Sequence, residues 1–188
     1  LWRVVPGGLL MLFRDLVQTE QAAVESLFGS VFSQSAGEAE GTLIRDLVRA
    51  LISTTAARDI DGFVALEDTS IIAAILFSRL QFPFEIEAFI LSPVAVHSDR
   101  QGEGIGQRLI RHGLDALKRK GIAVVLTYGD PRFYCKVGFH PVSPGVIEPP
   151  FPLTQPEGWL GQTLNGDPLE SIAGRCRCVE ALNQVVYW

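Results

Sequence analysis

The chain has 188 residues, 47% of them apolar and 20% charged, with a formal net charge of −5 at pH 7. That length and apolar content suit a single domain with a sizeable core, and the acidic balance argues against a surface built for nucleic acid. No run reaches the roughly 18 apolar residues that a membrane helix needs, which argues against a membrane partner.

Met11 is the only methionine, so residues 1–10, LWRVVPGGLL, read as leader or upstream sequence ahead of one domain at 11–188. MLFRDLV is a short first strand. Thr19 predicts the N-cap of a helix through Ala23, Leu27, Val31 and Phe32, with Glu20 in its first turn. EGTLIRDLVRALI predicts a second helix, apolar at Leu43, Ile44, Leu47, Val48 and Leu51. GFVALEDTSIIAAILFSRL reads as a hairpin turning at Asp68 and Thr69.

EIEAFILSPVAV is the next strand, apolar on both faces and therefore buried. Pro93 cannot donate a ladder hydrogen bond, so a bulge or a break in pairing is expected there. After a glycine-rich stretch comes an amphipathic helix with Ile105, Leu109, Gly113, Leu114 and Leu117 on one side. Lys118, Arg119 and Lys120 close it against the negative helix end, and Gly121 serves as its C-cap. IAVVLTY is a buried strand; Asp130 and Pro131 then open a short helix that Gly138 ends. Residues 141–157 form a proline-rich loop, and GWLGQTL and AGRCRCVEAL read as closing strands.

The fold class is α+β, with a strand–helix–strand crossover at residues 87–128. Cys135, Cys176 and Cys178 are too few and odd in number for a disulfide framework, and they fit a reducing, cytoplasmic setting. The C-x-C pair has no second ligand pair near it, so no metal site is expected.

The glycine stretch, SDRQGEGIGQRLIRHGL at 98–114, sits between a buried strand and a helix N-terminus, where phosphates bind in several folds. A dinucleotide fingerprint needs a third glycine where Gln107 stands, and a Walker loop needs a lysine that is absent. The pattern that fits is Q-x-x-G-x-G: Gln101, Gly102, Glu103, Gly104, Ile105, Gly106. Glycines here clear Cβ atoms from an incoming pyrophosphate and permit positive φ.

This stretch resembles the acyl-CoA pyrophosphate loop of the GNAT N-acetyltransferase superfamily. FYCKVGF at 133–139 resembles its F-Y-x-x-x-G-F segment, and the strand ending in Val94, Ala95 and Val96 resembles the one that pairs with the pantetheine arm. The GDP turn and proline-rich tail are similar to a bacterial subgroup of predicted N-acetyltransferases. The resemblance implies a three-layer α/β/α-like fold with a mixed, mostly antiparallel sheet. It implies acetyl transfer from acetyl-CoA to an amine of a small molecule or protein, without a metal. Val94–Val96 and residues 101–106 would bind CoA, and Tyr134 would protonate the leaving thiolate.

The general base is open. Relatives that use a strand carboxylate carry it where Ile90 stands here; Glu85, Glu87 and His97 are the other candidates, and Ser92, on the same face as Ile90, would hold a water. Two alternatives keep the fold: transfer of a longer acyl group, and a CoA-binding sensor without turnover.

Overall fold

The computed structural model describes residues 2–4, 10–169 and 172–188. In chain order the elements are β1 (Trp2–Val4), β2 (Leu10–Asp15), α1 (Gln21–Ala36), α2 (Glu38–Thr54), β3 (Ile60–Glu67), β4 (Ser70–Gln81), β5 (Ala88–Val96), α3 (Ile105–Arg119), β6 (Val124–Tyr128), α4 (Pro131–Tyr134), β7 (His140–Pro141), β8 (Ile147–Glu148), β9 (Trp159–Thr163), β10 (Gly174–Arg175) and β11 (Arg177–Cys178). The chain forms two units: residues 1–76 with 93–113, and residues 77–92 with 114–188. β4, β5 and α3 each run from one unit into the other.

In the first unit β2 pairs antiparallel with β3, from Met11↔Glu67 to Asp15↔Phe63, and β1 pairs antiparallel with β2. Part of the stretch read as leader therefore carries a strand; residues 1 and 5–9 lie outside the described residues. β3 and β4 are neighbours joined by Asp68–Thr69, with Asp68 at φ 52. α1 buries Val24, Leu27, Phe28 and Val31, and α2 buries Ile44, Leu47, Val48 and Leu51, the face its sequence period predicts. One glycine, Gly37 at φ 98, separates the two helices.

Thr19 does not cap α1. It lies in a 3-10 turn, Gln18–Glu20, and Glu20 takes the N-cap position. The cause is Arg14, whose guanidinium grips both Glu20 carboxylate oxygens at 2.9 and 2.5 Å and pulls the chain into one extra turn.

In the second unit β6 lies between two strands. β5 runs parallel to it from Ala88↔Val124 to Leu91↔Thr127, and β9 runs antiparallel from Val124↔Thr163 to Tyr128↔Trp159. β7 pairs with β9, β11 pairs with the end of β4, and β8 with β10 form a separate parallel pair. The β5–α3–β6 crossover is thus the one the sequence predicts. α3 ends at Gly121, φ 84, with the Ile122 N–H returning to Leu117 O at 3.1 Å.

β5 starts at Ala88, later than its sequence pattern suggests; the Glu87 carbonyl accepts the Ala123 and Val124 N–H groups at 2.8 and 3.2 Å, and its carboxylate meets Arg79 at 2.6 Å. AGRCRCVEAL forms two two-residue strands and a 3-10 turn at Glu180–Leu182 rather than one closing strand. The proline-rich loop is anchored by fully buried Trp159, whose indole N–H donates to Ile147 O at 2.9 Å.

Candidate active site

β5 changes character at Pro93. Its last registered pair with β6 is Leu91↔Thr127, and the Thr127 hydroxyl also donates to Leu91 O at 3.0 Å. Beyond it, proline removes one donor from the ladder. The His97 N–H donates to Ile72 O of β4 at 2.8 Å. Backbone groups alternate sides along a strand. Ala95 therefore faces β4 with His97, while Val94 and Val96 turn their N–H and C=O groups to the opposite side. Of the V-A-V triplet, Val94 and Val96 thus offer backbone partners on that side, and Ala95 supplies a small, buried side chain.

The chain then turns through Ser98–Arg100, which His97 caps by accepting the Asp99 N–H at Nδ1, 3.4 Å. The Gln101 side chain reaches back to Val96 O at 3.1 Å, tying the turn to the strand end. Gly102 and Gly104 both stand at positive φ, 80 and 73, and a Cβ on either would meet nothing within 4 Å. Their role is to set backbone direction beside open space. Gly106 differs from the expectation of positive φ: it lies in the first turn of α3 and is helical and buried. The first intrahelical bond is Arg108 N–H to Gly104 O at 3.1 Å, so the Ile105, Gly106 and Gln107 N–H groups have no helical partner. An anion at this turn would meet those donors and the positive helix end.

Charge at the turn is organised by Arg100. Its guanidinium bonds both Glu103 carboxylate oxygens at 3.0 Å and also pairs with Glu67 at the end of β3. The Glu103 carboxyl is held below the usual carboxylate range, chiefly by Arg100. The Arg100 guanidinium is held more firmly protonated by Glu103 and Glu67. Sequence reasoning missed Arg100; the contact with Glu67 joins residues 33 apart, and no local pattern announces it.

Tyr134 ends α4, which opens as predicted with Asp130 accepting the Arg132 N–H at 2.9 Å and Pro131 in the first turn. Its ring packs edge-on against Phe133 and Phe139, at 5.1 and 5.7 Å between centroids. Burial pushes the phenol pKa above its ordinary value, against a smaller opposing effect of the Thr127 hydroxyl. Tyr134 thereby stays neutral and protonated at physiological pH, the state a general acid requires. Gly129, named in the sequence only as part of the GDP turn, seats the ring, and nothing local announces that role.

The alternative bases are elsewhere or engaged. Glu87 pairs with Arg79, and Glu85 lies in the same β4–β5 loop, at the end of β5 opposite Val94. Ile90 is buried, and His97 is exposed and occupied as a cap. Among the described residues, no group of three or more His, Cys, Asp or Glu side chains is placed to hold a metal ion.

Residues 58–141 match the family described as the acetyltransferase (GNAT) domain. An uncharacterized N-acetyltransferase of Escherichia coli K12, YjhQ, is 32% identical over 141 residues, covering 72% of this chain and 77% of YjhQ. The E. coli GNAT family N-acetyltransferase YhbS, solved in complex with CoA, superposes with a TM-score of 0.79 at 24% identity over 97% of each chain. A GNAT family acetyltransferase from Brucella melitensis in complex with acetyl-CoA superposes with a TM-score of 0.68 at 26% identity, over 92% of this chain and 97% of that one.

Proposed function

Because this chain belongs to the GNAT family of acetyltransferases, we propose that it moves an acetyl group from acetyl-CoA to a primary amine, with the turn at 101–106 as its pyrophosphate cradle and Tyr134 as its proton donor. The observation that carries the reading is the pair of positive-φ glycines, Gly102 and Gly104, opening onto free space just ahead of the α3 N-terminus.

Acetyl-CoA supplies an activated thioester. The chain's own residues do the rest. Gly102, Glu103 and Gly104 present backbone with no Cβ in the way at either glycine, and Ile105 and Gly106 add N–H donors. Gln101 fixes this turn against Val96 O. Val94 and Val96 present backbone groups on the side away from β4, where an extended amide-bearing arm adds as a further strand. A Val94 or Val96 N–H aimed at the thioester oxygen stabilises charge developing there.

Tyr134 gives its proton to the departing sulfur and recovers one from solvent before the next turnover. A buried phenol suits this step, because its pKa lies above that of the thiol it protonates. With Ile90 in place of a strand carboxylate, the acceptor amine arrives neutral or releases its proton to water. The thiols of Cys135, Cys176 and Cys178 are free, which suits a reducing compartment such as the cytoplasm.

The deciding experiment incubates the protein with acetyl-CoA and a panel of amines while following free thiol. Amine-dependent thiol release is expected. CoA binding without release on any amine would leave a binding module in place of an enzyme.

A further inference from the structure

A carboxylate inside a phosphate-binding turn is out of place. Glu103 stands between Gly102 and Gly104, where an incoming pyrophosphate carries about two negative charges of its own. Uncompensated, the two like charges repel, and more strongly near a protein surface than in bulk water.

The structure shows what offsets that cost. Arg100 holds Glu103 through two separate donors, Nε to Oε1 and Nη2 to Oε2, both at 3.0 Å. A fork-to-carboxylate pair of this kind fixes direction as well as charge. The remaining Nη1 goes to Glu67, and the Arg100 side chain is largely covered, with 21% of its surface exposed. Arg108 adds a second cation on the same side: its Nη2 reaches Glu103 O at 3.5 Å, and its guanidinium lies over the Phe13 ring at 5.8 Å. One Glu67 oxygen, Oε1, is buried without a hydrogen-bond partner. The Glu67 carboxylate is therefore committed to Arg100 through its other oxygen alone.

We infer that Arg100 is a positioning residue for CoA: it neutralises Glu103 and pins the glycine turn to the end of β3, so that the turn accepts a pyrophosphate despite carrying a carboxylate. This rests on the proposed reading of the turn as a pyrophosphate cradle. Arg100 acts through Glu103 and needs no contact with the phosphates. Its effect therefore depends on whether Glu103 is charged.

That dependence gives the test. CoA affinity is measured by calorimetry at low salt on the wild type, R100Q, E103Q and the double variant R100Q/E103Q, with circular dichroism as the check on folding. R100Q is expected to weaken CoA binding about three- to tenfold, the effect of one or two uncompensated charge contacts near a surface. Adding E103Q should return most of that loss, and raising the salt to about 1 M should shrink the R100Q penalty, since screening acts on charge. kcat at saturating acetyl-CoA should change less than KM. If R100Q does not fold, R100K keeps the charge and loses the fork. It should then bind CoA more weakly than the wild type, with that deficit relieved in R100K/E103Q. An equal loss in the single and double variants would overturn the inference, because the effect of Arg100 would then not run through the Glu103 charge. Undiminished affinity in R100Q would overturn it as well. Failure of the wild type to bind CoA would instead overturn the reading of the turn itself.

Discussion

A Cβ placed on Gly129 would lie 2.6 Å from Cε2 of Tyr134. Real Cβ atoms do not approach a ring that closely, so the tyrosine sits where it does only because residue 129 has no side chain. The same closeness runs along the chain: a Cβ on Gly158 would fall 3.0 Å from Gly129 O. G129A should push the ring off its seat. The expected result is a fall in kcat of at least tenfold with CoA affinity little changed. Steady-state kinetics beside CoA calorimetry measures both; unchanged kcat would show that the ring position is not needed.

Y134F keeps the ring and its packing against Phe133 and Phe139 and removes only the hydroxyl. It should lower kcat about 10²- to 10⁴-fold while leaving acetyl-CoA binding in place. The pH profile is a second readout. Burial raises the phenol pKa above its ordinary value near 10, so Tyr134 holds its proton throughout the neutral range. No alkaline fall in kcat below about pH 10 should therefore trace to this residue. A threefold or smaller effect of Y134F, with chemistry rate-limiting, would make it a packing residue.

Gly104 offers a cleaner test of the turn than Gly106, which is helical and buried. G104A adds one methyl at φ 73 with nothing within 4 Å, so it brings strain of about 1–2 kcal/mol and no clash with the protein. A folded G104A with CoA affinity reduced tenfold or more is expected. Undiminished CoA binding would mean that the glycine serves the turn alone.

G41A should destabilise the α1–α2 pair. A Cβ there would come within 2.6 Å of Gly29 O and 2.7 Å of Ser33 N, both backbone atoms that no rotamer change can move. Overpacking of this kind costs about 1–3 kcal/mol, and thermal unfolding should register it as a drop of several degrees.

Acid should weaken the link between β2 and α1. The Arg14 hydrogen bonds hold the Glu20 carboxyl below its ordinary range, against a smaller opposing effect of burial. The folded state then binds its proton less readily than the unfolded chain. The stabilisation is present above about pH 4.3 and is lost as the pH falls through the lower folded value. Tm measured from pH 6 down to 3 should fall less steeply in E20Q than in the wild type; parallel curves would remove Glu20 from the account.

Local chemistry made much of this protein legible from its sequence. Asp130–Pro131 opens α4 because a capping carboxylate and a ring fixed near φ −65° act within one turn. The Q-x-x-G-x-G turn and the α3 stripe are similarly short-range, since spacing alone places their residues on one face or one bend. Period and apolar run gave the β5–α3–β6 crossover for the same reason. Features that depend on distant residues were hidden. Thr19 lost the N-cap to Glu20 because Arg14, on a different element, claimed that carboxylate. The Glu87 carboxylate found Arg79 on the preceding strand. The Arg100–Glu67 pair spans 33 positions, and the seat of Tyr134 is made by an absent Cβ at Gly129. Spacing encodes a helix face, a cap or a turn, because those are set within a few residues. Which carboxylate a guanidinium finds, and which ring an empty Cβ position admits, are decided only when the folded chain brings them together.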